Sequence, residues 1–600
     1  MCGVTGFISL ASNLGHIEKM SEAIRHRGPD DVGYYKQQTL SLSHRLLKLF
    51  SLRTKAGPYI SANKRWVLSF NGEVYNDSQL RKQLEENYQI TWNYDTDAEV
   101  FLEGWSLEGE SFLKKINGMF AFALWDTQEQ VLILGRDKMG EKPLYYTSQS
   151  GSFYFSSEVK SFKSIGIKFN LNKSRVNEYF AYRYIAGSET LFKDIYKVLP
   201  GELIQISCKG SILSKKMWFN KSPSNLPSEL RLPLSELAQQ LNSLIKKSVQ
   251  LRTHPSRKNI VFLSSGVDSS LVAHFLPRES LGLTFSEAQS NDLETIRAFC
   301  HQRELQHKLV EKKSIDVNQI DEAIWATEEP IGDSIIISNL YLAKSAAESS
   351  RVVFSGDGAD ELFAGYIHHI AFNFILNIRD RFGLTILNII EKTLRLTPHA
   401  LLDFITPYSE KLGPEAKLRL ASALQQFLTT EQFSDSLSQL FLFDQSEIKS
   451  HYRNYSVHSL KDLVTEDQRS WLPDYILIRS DKILMSQSLE GRLPYLDSEI
   501  YEFLNSLNSE HLVAGFESKS LFKKATALSL GKAFSTQVKK SFTHTFRMDN
   551  THDLLTSAYT NDLAQRENLF KDHLNFIENK KLFSLIVFDR WLSVFDVHCD

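Results

Sequence analysis

The chain has 600 residues, of which 42% are hydrophobic and 23% charged, as in an ordinary globular protein. That length exceeds what one hydrophobic core serves, so two or three domains are expected. A formal net charge of -2 supplies no global field toward nucleic acid or anionic lipid. No apolar run approaches the roughly 20 residues of a membrane helix, since the stretch 370–405 is broken by Arg379, Asp380, Arg381, Glu391 and Lys392. Cys2, Cys208, Cys300 and Cys599 are too scattered for a disulfide framework or a zinc site. The N-terminus MCGVTGFISL lacks the basic region of a signal peptide. A cytoplasmic protein with neither nucleic-acid nor membrane partners is expected.

Residues 1–205 alternate short β-type runs (VTGFISL, WVLSFNGEVYN, MFAFALWD, QVLILGRD, FYFSSE) with turn signals, and helices such as SEAIRH and DAEVFLEGW are few. Residues 206–233 lose this pattern, and KSPSNLPSELRLP reads as a linker. From about 235 the helical LSELAQQLNSLIKKSVQL precedes a buried-type strand, NIVFLSS, a tight turn and the helix SSLVAHFL. LGLTF and RVVFSG follow, separated by helical segments, which argues for a parallel α/β sheet. The last third, roughly 365–600, is mainly helical, and its part around 370–460 carries no motif that can be placed. Three segments result: 2–205, the linker 206–233, and 234–600.

Removal of Met1 leaves Cys2 with a thiol and a free α-amine. Such an amine has a pKa near ~7.7–8.0 against ~10.4 for Lys, so it can serve as base for its own thiol. Chance alone puts a cysteine at position 2 in about one such chain in 150. In NGEVYN, after the strand WVLSF, Asn71 offers a side-chain donor and Gly72 a backbone N–H, together an oxyanion hole for amide hydrolysis. Glu73 and Asp97 supply negative charge for a substrate ammonium. HRGPDD adds a rigid turn with Arg27 and paired acids.

FLSSGVDSS follows one strand and opens a helix, so backbone N–H groups and the hydroxyls of Ser264, Ser265, Ser269 and Ser270 point at an anion. Asp268 is placed to hold Mg²⁺ beside phosphates. No G-K-[ST] follows, so this is not a Walker A loop. SGDGADELFAGY, after RVVF, clusters Asp357, Asp360 and Glu361 in a Gly-rich turn, which suits metal binding or acid–base work.

MCGVTGF, HRGPDD, FNGEVYN, TDAEV, INGMFAFALWD, GRDKMGEKPLYY and SSEVK occur in this order and resemble the class II glutamine amidotransferase domain. The resemblance covers about the first 200 residues and implies an α+β N-terminal-nucleophile hydrolase sandwich. Cys2 is then the nucleophile, Asn71 and Gly72 the oxyanion hole, and Asn71, Glu73 and Asp97 glutamine ligands. The family usually has a stretch like HRRLSIID, whose second Arg holds the glutamine carboxylate. This chain reads HRLLKLFS, with Leu46 in that place. Arg45 is the adjacent candidate, and Arg53 lies a few residues on. The family's GxQPM turn is shortened to AGPYI.

FLSSGVDSS is similar to the SGGxDS pyrophosphate loop of ATP pyrophosphatases, with Ser265 for the first Gly, a change without strain if φ there is negative. EEPIGDS, SGDGADELFAGY, SDKILMSQSLEGRLPYLD and ESKSLFKKA resemble the glutamine-hydrolysing asparagine synthetase family, and QVKKSF loosely resembles its basic pyrophosphate-side loop. By this resemblance Leu263, Ser264, Ser265, Gly266, Asp268, Ser269, Leu283, Ser355 and Gly356 bind ATP. Asp268 and Glu361 hold Mg²⁺, while Asp357 and Lys519 are catalytic. The implied reaction hydrolyses glutamine at Cys2 and passes ammonia, shielded from solvent, to an adenylated carboxylate. The default acceptor is L-aspartate. The alternatives are another carboxylate, such as a uronic acid or a natural-product precursor, or an ammonia-dependent synthetase with a dead glutaminase. The resemblance also implies a homodimer.

Overall fold

The computed structural model describes residues 2–10, 15–49, 54–221, 232–254, 257–286, 291–311, 316–397, 458–535 and 579–599, with residues 421, 424 and 428 besides. Arg53, QVKKSF and most of 398–457 lie outside the described residues.

Thirteen strands among the described residues build the first unit: β1 (Cys2–Ile8), β2 (Asp31–Gln37), β3 (Leu40–Leu46), β4 (Tyr59–Ile60), β5 (Trp66–Val74), β6 (Gly118–Asp126), β7 (Val131–Arg136), β8 (Tyr145–Gln149), β9 (Ser152–Ser156), β10 (Phe169–Asn170), β11 (Ile195–Lys197), β12 (Glu202–Ser207) and β13 (Ile212–Met217). Twelve of them form two six-stranded sheets, ordered β11-β8-β9-β1-β3-β2 and β13-β12-β7-β6-β5-β4. Within each sheet neighbouring strands run antiparallel. Alternate side chains of the two sheets meet face to face: Val4, Ile8 and Leu42 from one, Val67, Ala121, Trp125 and Leu134 from the other. The helix Asp97–Glu108 covers the outer face of the second sheet through Val100 and Phe101 against Phe70, Phe120 and Phe122. Thr96 starts that helix by accepting the Glu99 N–H. The helix His16–Ala23 lies on the first sheet.

The second sheet runs on to Met217, so β-structure crosses the boundary expected at 205. β13 is an exposed edge strand, ILSKKM, with no apolar–polar alternation to announce it.

The second unit has five parallel strands, β14 (Ile260–Phe262), β15 (Leu281–Ser286), β16 (Gln306–Glu311), β17 (Val352–Phe354) and β18 (Glu490–Arg492), in the order β16-β15-β14-β17-β18. The helix Val267–Phe275 crosses from β14 to β15, Asn291–Arg303 from β15 to β16, and Val317–Thr327 with Ile335–Ala347 from β16 to β17. The chain turns one way from β14 to β15 and the other way to β17. The loops after β14 and β17 therefore part at a topological switch point, where open α/β sheets bind ligands.

The two units share one contiguous core, from Phe7 and Met139 to Trp591 and Val597. The helix Asn579–Val594 returns to the first unit, where Phe588 and Trp591 pack on Tyr179, Phe180 and Phe192.

Candidate active sites

Cys2 begins β1, and its partner across the ladder is Leu46 of β3. The sandwich brings β5 of the other sheet against it, where the Cys2 backbone nitrogen donates to Asn71 Oδ1 at 3.1 Å. Asn71 is fully buried, and its Nδ2 has no partner among the described residues. A buried amide donor left unpaired is costly unless a ligand completes it. Gly72 faces Phe120 of β6 so closely that a Cβ would sit 2.2 Å from Met119 O, so strand packing itself demands glycine. Burial pushes the Cys2 thiol up to about 11, while the Leu47 N–H, donating to the sulfur, works the other way.

Two carboxyls stand beside this thiol. Burial raises Asp97 to about 6 against the hydrogen bond it accepts from the Val74 N–H at 2.9 Å. Glu73 is raised well above its usual range by burial and by the carboxylates of Glu490 and Asp97. Paired acids in this state gain by receiving a cation. Arg45 points away from them. Its neighbour Leu46 pairs with Cys2, so Arg45 projects from the opposite sheet face. There its Nε donates to Ser21 O and Oγ at 3.0 Å, and its guanidinium pairs with Glu22. Leu46 itself is apolar and buried.

At the switch point, the Ser264 N–H and Oγ both meet Ser269 Oγ, at 3.0 and 2.9 Å, and the Gly266 N–H donates to Ser264 Oγ at 3.2 Å. Ser265 is not among the residues with positive φ, so serine fits there without strain. Leu263 and Leu283 are buried side by side, joined by the Leu263 N–H to Leu283 O at 2.8 Å. The turn after β17 closes on this loop: a Cβ on Gly356 would lie 2.9 Å from the Ser269 nitrogen. In that turn Ser355 Oγ accepts the Asp357 N–H at 3.2 Å. Lys519 spans both loops, with Nζ 2.6 Å from Asp268 and 2.7 Å from Asp360. Its own backbone is left-handed, φ 55°, a strained setting of the kind that functional sites hold.

Asp268 and Asp360 thus face one point. Glu361 does not join them: it is buried, its carboxyl accepts from the Tyr366 hydroxyl, and burial with Asp360 raises it to about 7. Successive residues of a helical turn point about 100° apart, which separates Glu361 from its neighbour. The carboxylate pair Asp268 and Asp360 suits a hard divalent cation; Glu361 does not.

The two sites are joined by buried ion pairs. Arg27 is fully buried; it donates to Cys2 O at 3.3 Å, to Glu158 at 2.8 Å and to Asp481 of the second unit at 2.8 Å. Lys142 reaches the other Asp481 oxygen at 3.1 Å. Glu328 accepts the Val159 and Lys160 N–H groups at 3.0 and 2.7 Å and pairs with Lys482 at 2.7 Å. Arg492 lies between Glu490, at 2.7 Å, and Glu73, at 3.8 Å. Asp497 takes Asn117 at 2.9 Å and Arg252 at 2.7 Å. Sequence reasoning missed Arg27–Asp481 and the interface role of Glu328. Its one signal was that both carriers lie in recognisable motifs.

An N-terminal thiol under an idle amide donor, coupled through such an interface to a switch-point anion loop, defines the class of amidotransferases that join a glutaminase to an ATP-using ligase. Residues 1–218 match the glutamine amidotransferase domain family and residues 240–582 the asparagine synthase family. The chain belongs to the asparagine synthase family; it is an enzyme, a carbon–nitrogen ligase that uses glutamine and ATP. Asparagine synthetase [glutamine-hydrolyzing] 1 of Bacillus subtilis is 25% identical over 99% of this chain and 97% of its own length. Putative asparagine synthetase [glutamine-hydrolyzing] 2 of Methanocaldococcus jannaschii is 30% identical over 62% of this chain and 76% of its own. Amidase chyE of Penicillium rubens is 25% identical over 84% of this chain and 82% of its own. Among the described residues no helix is long and apolar enough to cross a membrane.

Proposed function

We propose that this enzyme amidates L-aspartate with nitrogen taken from glutamine at Cys2. The observation that carries the glutamine half of the reading is the Nδ2 of buried Asn71, without a partner among the described residues, beside the Cys2 backbone nitrogen. Once Met1 is removed that nitrogen is an α-amine, oriented by Asn71 Oδ1, and it takes the proton of a thiol that burial otherwise keeps neutral. The thiolate attacks the glutamine amide, Asn71 Nδ2 and the Gly72 N–H stabilise the oxyanion, and ammonia leaves. Water then releases glutamate from the thioester. Glu73 and Asp97 hold the glutamine ammonium.

At the second site the serines of the Ser264–Ser270 loop and Lys519 bind the ATP phosphates, and the acceptor carboxylate displaces pyrophosphate to form an acyl-adenylate. Asp268 and Asp360 would hold Mg²⁺, which supplies charge neutralisation on the phosphates when bound. Ammonia attacks the acyl carbon, Asp357 takes up its proton, and AMP leaves. Leu263 and Leu283 border the adenine. The full-length match to relatives named asparagine synthetases supports aspartate. ATP–pyrophosphate exchange across a panel of carboxylates tests the reading: exchange that depends on aspartate is expected, and exchange driven only by another carboxylate refutes it.

A further inference from the structure

Arg479 is a buried cation with no carboxylate or carbonyl partner among the described residues. It is 4% exposed, it makes no hydrogen bond or ion pair with any described residue, and its enclosed Nε meets no acceptor. Other buried arginines nearby do reach acceptors: Arg27 pairs with two carboxylates, Arg136 meets three carbonyls at 2.7–2.8 Å, and Arg252, whose Nε is likewise without an acceptor among the described residues, still pairs with Asp497. A guanidinium taken out of water is costly unless an anion completes it.

Its surroundings place it near the turn after β17. The guanidinium lies 5.1 Å from the Tyr475 ring centroid. Trp471 stacks on that ring at 4.1 Å and donates to the Tyr366 hydroxyl at 3.0 Å. Asp333 is near but spent: it takes Arg183 at 3.2 Å, the Tyr475 hydroxyl at 2.7 Å and the Ile335 N–H at 3.1 Å. Asp357 of the turn beside the phosphate loop is also within electrostatic range. Arg479 therefore stands one aromatic wall away from the nucleotide loops, whose own cation is Lys519. The segment Leu472–Leu477 is π-helical, a wide turn common at functional sites, and it leads directly into the helix Ile478–Ser486. Two and three residues beyond Arg479, Asp481 and Lys482 serve the interface.

We propose that Arg479 anchors a second carboxylate of the acceptor, so that the acceptor is a short dicarboxylate, one carboxylate held by Arg479 and the other presented to ATP. This deepens the ligase reading and rests on it. The oxyanion chemistry is shared with ATP phosphate, and the test separates the two. ATP–pyrophosphate exchange is measured on the full chain with L-aspartate and with β-alanine, which lacks the second carboxylate, for wild type, Arg479→Gln and Arg479→Lys. Wild type is expected to favour aspartate by about tenfold or more, the strength of a charge-assisted hydrogen bond. Arg479→Gln should raise the KM for aspartate by a similar factor and erase the preference, with the KM for ATP unchanged and Arg479→Lys in between. A rise in the KM for ATP instead assigns Arg479 to phosphate and overturns the proposal. A lowered thermal midpoint with the preference intact marks a structural residue and overturns it too. Wild-type exchange with no carboxylate at all refutes the ligase reading itself.

Discussion

Replacing Asn71 by Ala separates the two chemistries of this enzyme. In the resting structure Asn71 Nδ2 makes no hydrogen bond with any described residue, so on the proposed reading its contribution falls on the oxyanion alone. Loss of one such donor costs about 2.7–4 kcal/mol, or about 10²–10³ in kcat. The resting state loses only the bond from the Cys2 nitrogen to Oδ1, worth about 0.5–1.5 kcal/mol, so the fold persists. Glutamate release is the assay, with ammonia-dependent synthesis on the same preparation as its control. The reasoning predicts a fall of about a hundredfold or more in the first and no change in the second. A fall of less than about threefold, or a parallel fall in both, refutes it.

On the proposed reading Asp97, raised to about 6, and Glu73, raised well above its usual range by burial and neighbouring carboxylates, bind an ammonium only when ionised. The KM for glutamine should therefore be lowest above that pH and rise as the pH falls through about 6; a flat profile contradicts the assignment. Leu46→Arg places a cation opposite Cys2 and should lower the KM for glutamine by about tenfold, since a charge-assisted hydrogen bond is worth about 1.5–3 kcal/mol. Arg27→Met removes one partner each from Asp481 and Glu158 in the interface and should cost about 3 kcal/mol, read as a lower urea midpoint. The cost is no larger because Lys142 and Lys160 still neutralise those acids.

The motifs around Cys2 and the serine loop were legible because each is local: a strand, a turn and a few side chains close in sequence. The parallel sheet was legible from its alternation of buried strands and helices, and the switch point follows from its order. What failed was adjacency. Arg45 sits next to Leu46 in sequence, yet strand alternation sends it to the other face, where Ser21 and Glu22 hold it. Glu361 adjoins Asp360, yet a helical turn separates their directions. Gly72 is demanded by Met119, which only the β5–β6 pairing brings near. Arg27 and Asp481 meet across 454 residues, and no local pattern marks that pair. Arg479 had one faint signal, a lone cation in the apolar run ILIRS.

The most direct test supplies glutamine labelled with ¹⁵N in the side-chain amide, ATP, L-aspartate and an excess of unlabelled ammonium. Joined sites predict asparagine that keeps most of the label, with one AMP and one pyrophosphate formed per amide. Label diluted to the level of the solvent ammonium, or glutamate formed without AMP, contradicts the account.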